Sequence, residues 1–287
     1  MPTQVKTLRM RSKHTKRRYE VSDDDIALSE KRMYGAKRPE THAYVASGLG
    51  VTRVETAGGQ IGRFSLSERC NARDVAGASG EVAVATDEDV LVLTDDGFVP
   101  TGFGPATAVG YDGDGLLAAG DSRVARYTGE WQGIGEVADV QAIDGDRLAA
   151  AEGVYALPSL DRLGLVDVAD VSGDYAATES GLYRYGGENG EWTEVRSGRH
   201  VAVASDGEQV HAAAADGLYE LTDGSWEPCT LPVDERVVDV THGDDTYAIT
   251  ENGTFLVATA AEATADGQGG WRQRSLGVPD VVGVAVA

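Results

Sequence analysis

The chain has 287 residues, 25 Lys and Arg against 47 Asp and Glu, 37 Gly and two Cys. That length allows one large domain or two small ones around a substantial core. Cys70 and Cys229 are too few for a disulfide framework or a cysteine-based zinc site, so each is expected to be a buried free thiol. No apolar run reaches the roughly 18 residues needed to span a bilayer, and no apolar segment follows the N-terminal charges as a secretory signal would require. A soluble, cytoplasmic protein without membrane contact is therefore expected.

Charge is distributed unevenly. Residues 1–19 hold seven Lys or Arg and no carboxylate, whereas residues 41–287 hold 14 bases, all Arg, against 41 carboxylates. Acid enrichment with Lys depletion is the pattern expected of a surface adapted to a high-salt cytoplasm. At about 1 M salt the Debye length falls to about 3 Å, which screens repulsion that would strain such a surface in dilute buffer.

In chain order, residues 1–29 read as a basic, flexible leader, and residues 30–287 as a single domain. Within that domain a first type of short apolar run recurs at AYVAS (43–47), VAVAT (82–86), LLAAG (116–120), LAAAE (148–152), YAATE (175–179), VHAAA (210–214) and YAITE (247–251). Each is followed by a short turn and a second run such as VLVLT, VARYT, LYRYG or LYELT. A third, irregular run often opens on a Trp after Gly, at Trp131, Trp192, Trp226 and Trp271. A fourth run precedes the next unit: ARDVAGA (72–78), ATAVGY (106–111), ADVQAI (138–143), VADVS (168–172), HVAVA (200–204), RVVDV (236–240) and VVGVAV (281–286). The turns fall at 48, 89, 122, 153, 181, 217 and 253, a spacing of about 34 residues.

Seven units of four short strands predict an all-β, seven-bladed β-propeller. The runs are continuously apolar rather than alternating, as expected of sheets buried on both faces. Gly and Asp in DGDG (112–115), SGD (172–174) and SDGE (205–208) supply the positive φ that tight hairpins require. The domain starts on a first-type run and ends on a fourth-type run. VVGVAV is therefore expected to pair beside AYVAS and close the ring with one strand from each terminus.

The phrase GLYR or GLYE, then G-x-W, then V-x-x-V, resembles the repeats of sialidase-like and photosystem-assembly-like propellers. From about Glu30, KRMYGAKR followed by HAYVASGLGV resembles an uncharacterised haloarchaeal β-propeller family, which implies the fold and no particular activity. Sialidase-type chemistry would require the box S-x-D-x-G-x-x-W together with a convergent Arg cluster. TDGSW at 222–226 is only a truncated form of that box, so the activity is not carried over.

Chemistry-bearing motifs are sparse. His14, His42, His200, His211 and His242 show no H-x-H or H-E-x-x-H spacing, and no metal ligands, cofactor or catalytic residues are assigned from them. No G-x-S-x-G elbow or phosphate-binding loop is present. Arg69, Arg73, Arg196, Arg199 and Arg236 fall in or just after the connections from a third-type run into the next innermost strand. In a propeller those connections share one face, and the guanidinium fork suits carboxylate or phosphate. They are the candidate binding residues for an anionic ligand or acidic partner; pairing with neighbours such as Asp74 or Glu235 is the alternative. The expected function is a non-catalytic scaffold for an unknown protein partner. A channel-mouth hydrolase of lactonase-like or glycan-acting type is the first alternative, and nucleic-acid association through the basic leader the second. An enzyme would need polar side chains converging near the axis, where the Ala- and Val-rich inner runs offer few.

Overall fold

The computed structural model describes residues 40–113, 115–187, 190–259 and 270–287. The expected leader at 1–29, and the first ten residues of the expected domain, lie outside them. Every regular element among the described residues is a strand. Blade 1 opens with β1 (Thr41–Ser47), β2 (Gly50–Ala57) and β3 (Gln60–Glu68). Blade 2 is β4 (Ala72–Ala78), β5 (Glu81–Thr86), β6 (Val90–Thr94) and β7 (Gly97–Pro100). Blade 3 is β8 (Ala108–Tyr111), β9 (Leu116–Gly120), β10 (Arg123–Tyr127) and β11 (Trp131–Glu136). Blade 4 is β12 (Val140–Asp144), β13 (Arg147–Ala150), β14 (Gly153–Ala156) and β15 (Asp161–Gly164). Blade 5 is β16 (Val168–Ser172), β17 (Tyr175–Thr178), β18 (Gly181–Gly186) and β19 (Glu191–Ser197). Blade 6 is β20 (His200–Ser205), β21 (Val210–Ala214), β22 (Gly217–Thr222) and β23 (Ser225–Pro228). Blade 7 is β24 (Val237–His242), β25 (Thr246–Thr250), β26 (Thr254–Ala258) and β27 (Trp271–Ser275), after which β28 (Val281–Val286) returns to blade 1.

Each of the seven four-stranded sheets is an antiparallel meander, and the order β28-β1-β2-β3 closes the circle. Tyr44 stands opposite Ala285 and Val45 opposite Val284, so the predicted pairing of the two ends is present in register. Closure of this kind removes the exposed edge that an open solenoid would leave.

The core is divided among the blade interfaces. Seven clusters of buried side chains each join two neighbouring blades. Leu117 and Val124 of blade 3 meet Ile143 and Leu148 of blade 4, and Tyr247 and Phe255 of blade 7 meet Val45 and Val54 of blade 1. The second strand of each blade is the most deeply enclosed, with β9, β17, β21 and β25 buried along their whole length. Alanine dominates there because two sheets approach from either side and leave little volume. Near the axis the approach is tighter still: a Cβ on Gly77 would sit 2.0 Å from the carbonyl oxygen of Val286, so only glycine fits.

The repeated tryptophan has a structural reason. Trp131, Trp192, Trp226 and Trp271 lie on outermost strands and pack toward the preceding blade, where the wedge is widest. Trp131 stacks edge-on to Phe103, with centroids 4.7 Å apart, and Trp226 meets Tyr175 at 6.2 Å. Small residues inside and aromatic residues outside thus follow from the taper of the blades.

Candidate functional site

Four aspartates border the central channel, where sequence reasoning expected little polarity, and three of them follow a bulge. Innermost strands β4, β12, β16, β20 and β24 each carry a register shift at the same place, and β28 carries one against β1. Such a bulge inserts one extra residue and re-aims the next side chain. Arg73, Ala169 and Val238 are the extra residues, and Asp74, Asp170 and Asp239 follow them. All three border a cavity of about 170 Å³ on the axis, together with Ala142, Asp144 and Ser172.

Each of these carboxylates bridges two blades through main-chain amides. Asp74 accepts from the N–H of Val75 at 2.8 Å and of Val109 in blade 3 at 2.9 Å. Asp170 accepts from Val171 and from Val203 of blade 6, both at 2.8 Å. Asp239 accepts from Val240 at 2.8 Å and from Val284 across the ring closure at 2.7 Å. The equivalent positions in the partner blades are Ala108, Ala202 and Gly283, and a Cβ on Gly283 would already lie 3.0 Å from Oδ2 of Asp239. One carboxylate serves a pair of blades, and the second blade of the pair has no room or need for another.

Desolvation raises all three acids above the ordinary carboxylate range: Asp74 to about 6, Asp239 to about 7, and Asp170 well upward. The charge of Asp239 adds to the rise at Asp170, and that of Asp74 to the rise at Asp239. The amide donors pull each value back down without cancelling the burial. In the sequence these residues stand in ARDV, VADV and VVDV, three fourth-type runs aligned with Ala or Gly in the other four. That in-register substitution was the available signal.

The arginines separate into two groups. Arg196 donates to Nε2 of His200 at 3.1 Å and to Asp216 at 3.2 Å, and lies 3.5 Å over the ring of Tyr219. His200, buried and held neutral mainly by desolvation, donates from Nδ1 to the Gly198 carbonyl at 2.7 Å. Arg199 pairs with Glu179 at 3.0 Å and Arg236 with Glu251 at 2.8 Å, both on exposed side chains. Neither Asp74 nor Glu235 is the partner: Asp74 is on the axis, and Glu235 accepts from Thr250 at 2.5 Å. Arg69 and Arg73 are exposed and, among the described residues, form no side-chain ion pair. Arg69 borders a cleft of about 400 Å³ shared with Glu68, Cys70, Asp87 and Asp89.

A third cluster lies on blade 6. His211 of β21 stands opposite Glu220 of β22, and the Cys229 amide donates to the Leu218 carbonyl at 2.9 Å, just beyond β23. Strand alternation therefore sets all three on one face. Their ligating atoms lie within 4.8 Å of one another, and they are the one such group of three among the described residues. Behind them, Nδ1 of His211 is 2.9 Å from Nε2 of His242 in blade 7. Neither Cys70 nor Cys229 forms a disulfide.

The model of the HVO_0234-like beta-propeller family matches residues 27–287. No curated protein matches the chain. Among solved structures, the computationally designed Ika8 protein is similar at a TM-score of 0.52 and 12% identity, covering 86% of this chain and 91% of its own. AztD of Citrobacter koseri is similar at 0.52 and 10%, covering 84% and 83%. YCF48 from Cyanidioschyzon merolae is similar at 0.50 and 14%, covering 73% and 86%. At such identities the likeness is one of fold.

Proposed function

The chain belongs to the HVO_0234-like beta-propeller family, and from that premise we propose that it is a non-catalytic interaction scaffold which docks a protein partner on one face of the ring. The observation that carries this reading is the contrast between Arg69 and Arg73, exposed and outside any ion pair among the described residues, and the paired Arg196, Arg199 and Arg236 on the same type of connection. A rigid ring with variable connections on one face suits docking, because strand packing fixes the frame while loops set specificity. Unpaired guanidinium groups at that face select an acidic partner segment. The cytoplasm of a high-salt cell is the setting that fits the acidic surface. Melting temperature should accordingly rise steadily as KCl is increased from dilute to molar concentration.

The test begins with a partner that co-elutes at high salt, identified by mass spectrometry and reconstituted from pure components. Arg69→Ala with Arg73→Ala is expected to weaken the reconstituted complex about tenfold or more while leaving the melting curve unchanged. Equal affinity in the double variant would remove this face from consideration.

A second reading, a channel-mouth hydrolase, draws on the raised acids Asp74, Asp170 and Asp239, because perturbed carboxylates in a cavity are suited to proton transfer. It requires ester or glycan hydrolysis by the purified chain that disappears in Asp170→Asn.

A further inference from the structure

We propose that blade 6 holds a divalent transition-metal site of zinc type, with His211 Nε2, the Glu220 carboxylate and the Cys229 thiolate as protein ligands and a fourth position open to solvent. Imidazole, carboxylate and thiolate together form a borderline donor set that suits Zn²⁺ or Co²⁺ rather than the oxygen-seeking Mg²⁺ and Ca²⁺. Three protein ligands with one open corner is the arrangement of an exchangeable rather than a closed structural site.

The geometry is close to that required. Tetrahedral zinc with bonds of about 2.0–2.3 Å holds its ligand atoms about 3.3–3.6 Å apart. Nε2 of His211 and Oε2 of Glu220 are 4.0 Å apart, and the whole set spans no more than 4.8 Å. Contraction by several tenths of an ångström to about 1 Å closes the site. Glu220 can supply it, since its side chain is 46% exposed while that of His211 is 4% exposed. The same exposure gives the ion a path in from the blade surface.

The surroundings of His211 also prepare its lone pair. Nε2 faces Glu220, so it is free to ligate only if the proton sits on Nδ1. Nδ1 is 2.9 Å from Nε2 of His242, and this contact is satisfied when His211 donates and His242 accepts. His242 then carries its own proton on Nδ1, which points toward Oδ2 of Asp206 at 3.8 Å. That Nδ1 is buried and has no hydrogen-bond partner within normal reach, on a side chain only 6% exposed. The hydrogen bond to His242 thus orients the ligating ring, as such partners do behind other metal-bound histidines, with the Asp206 carboxylate 3.8 Å beyond. Trp271, with its centroid 6.4 Å from that of His211, closes the apolar side. On binding, Cys229 gives up its thiol proton to solvent and ligates as thiolate, so one proton is released for each ion bound.

The experiment is a titration of the full, chelator-stripped chain with Co²⁺ in molar KCl, which suppresses loose association with surface carboxylates. Saturation at one ion per chain is expected, with a thiolate-to-cobalt charge-transfer band in the near ultraviolet and intense tetrahedral bands in the visible. Cys229→Ser should abolish the charge-transfer band, whereas Cys70→Ser should leave it intact. Glu220→Gln, at a half-exposed position that leaves folding undisturbed, should weaken binding. His242→Ala should weaken it by about 10- to 100-fold while the thiolate band persists at saturation. The proposal is overturned if no saturable binding occurs, or if the spectrum is the same in wild type, Cys229→Ser and Glu220→Gln.

Discussion

The channel and the outer half of blade 6 both gather ionisable side chains, yet they use them in opposite ways. At the axis, Asp74, Asp170 and Asp239 each direct both oxygens at main-chain N–H groups, so their hydrogen bonding joins blade to blade. In blade 6, Nε2 of His211, Oε2 of Glu220 and Sγ of Cys229 face one another. The first set is architectural because its acceptors meet donors already fixed by the fold. The second is suited to a ligand because donor atoms converge on a common point. A buried charged group therefore says little until the direction of its lone pairs is known.

The sharpest way to break this contrast is Asp239→Ala, which leaves the amides of Val240 and Val284 without their acceptor at the ring closure. At about 1–3 kcal/mol for each of the two donors, a loss of about 2–6 kcal/mol in chemical denaturation near pH 5 is expected. The effect should shrink toward pH 8. An acid whose folded pKa exceeds its unfolded value binds its proton more tightly in the folded chain. Its contribution to stability is thus full at low pH and declines as pH rises from the ordinary carboxylate range through about 7 for Asp239, beyond which the penalty is constant. A loss that grew with pH would contradict the burial assigned to this group.

Next in size is metal stabilisation. Zn²⁺ at 100 times its dissociation constant should stabilise the chain by about 2.7 kcal/mol, and chelation should reverse the shift. Asp239→Ala should leave that increment intact, because the two regions share no side chain. An increment lost in the Asp239 variant would show that the regions are coupled. The smallest effect belongs to the exposed pairs: Arg199→Ala, which removes the contact with Glu179, should change stability by no more than about 0.5 kcal/mol.

The fold was legible because each blade repeats the same constraint. The runs at 72–78, 168–172 and 281–286 coincide with β4, β16 and β28, and even the short stretch between Asp144 and Val168 supplies three strands. β20 likewise starts at His200 as expected, whereas β8, β12 and β24 begin one or two residues later than the sequence suggested, because the preceding turns consume the first residues. The axial aspartates were obscured by composition: among 41 carboxylates, three more acids carry no evident signal unless the runs are aligned column by column. The pairing of His211 with His242 was hidden differently. The two lie 31 residues apart, close to one repeat, so only the curvature that brings successive blades face to face unites them. Nothing in local spacing announces Glu220 and Cys229, which meet His211 through strand register. Arg73 was singled out by its place at the entry to an innermost strand, whereas its position as the bulge residue before Asp74 was not legible.

Seven is odd, and couples cannot fill it. With blades 2 and 3, 5 and 6, and 7 and 1 joined by an aspartate that follows a bulge, blade 4 has none of its own; its seam with blade 5 is held by the Gly173 amide donating to Asp144 at 3.0 Å and by Arg147 donating to the Gly173 carbonyl at 2.9 Å, and its seam with blade 3 by the Gly145 amide donating to the Tyr111 carbonyl at 3.1 Å. The odd sector of the toroid is thus fastened by turn residues instead of a bulge carboxylate, so deuterium uptake at the Gly145 and Gly173 amides reports whether that substitute holds.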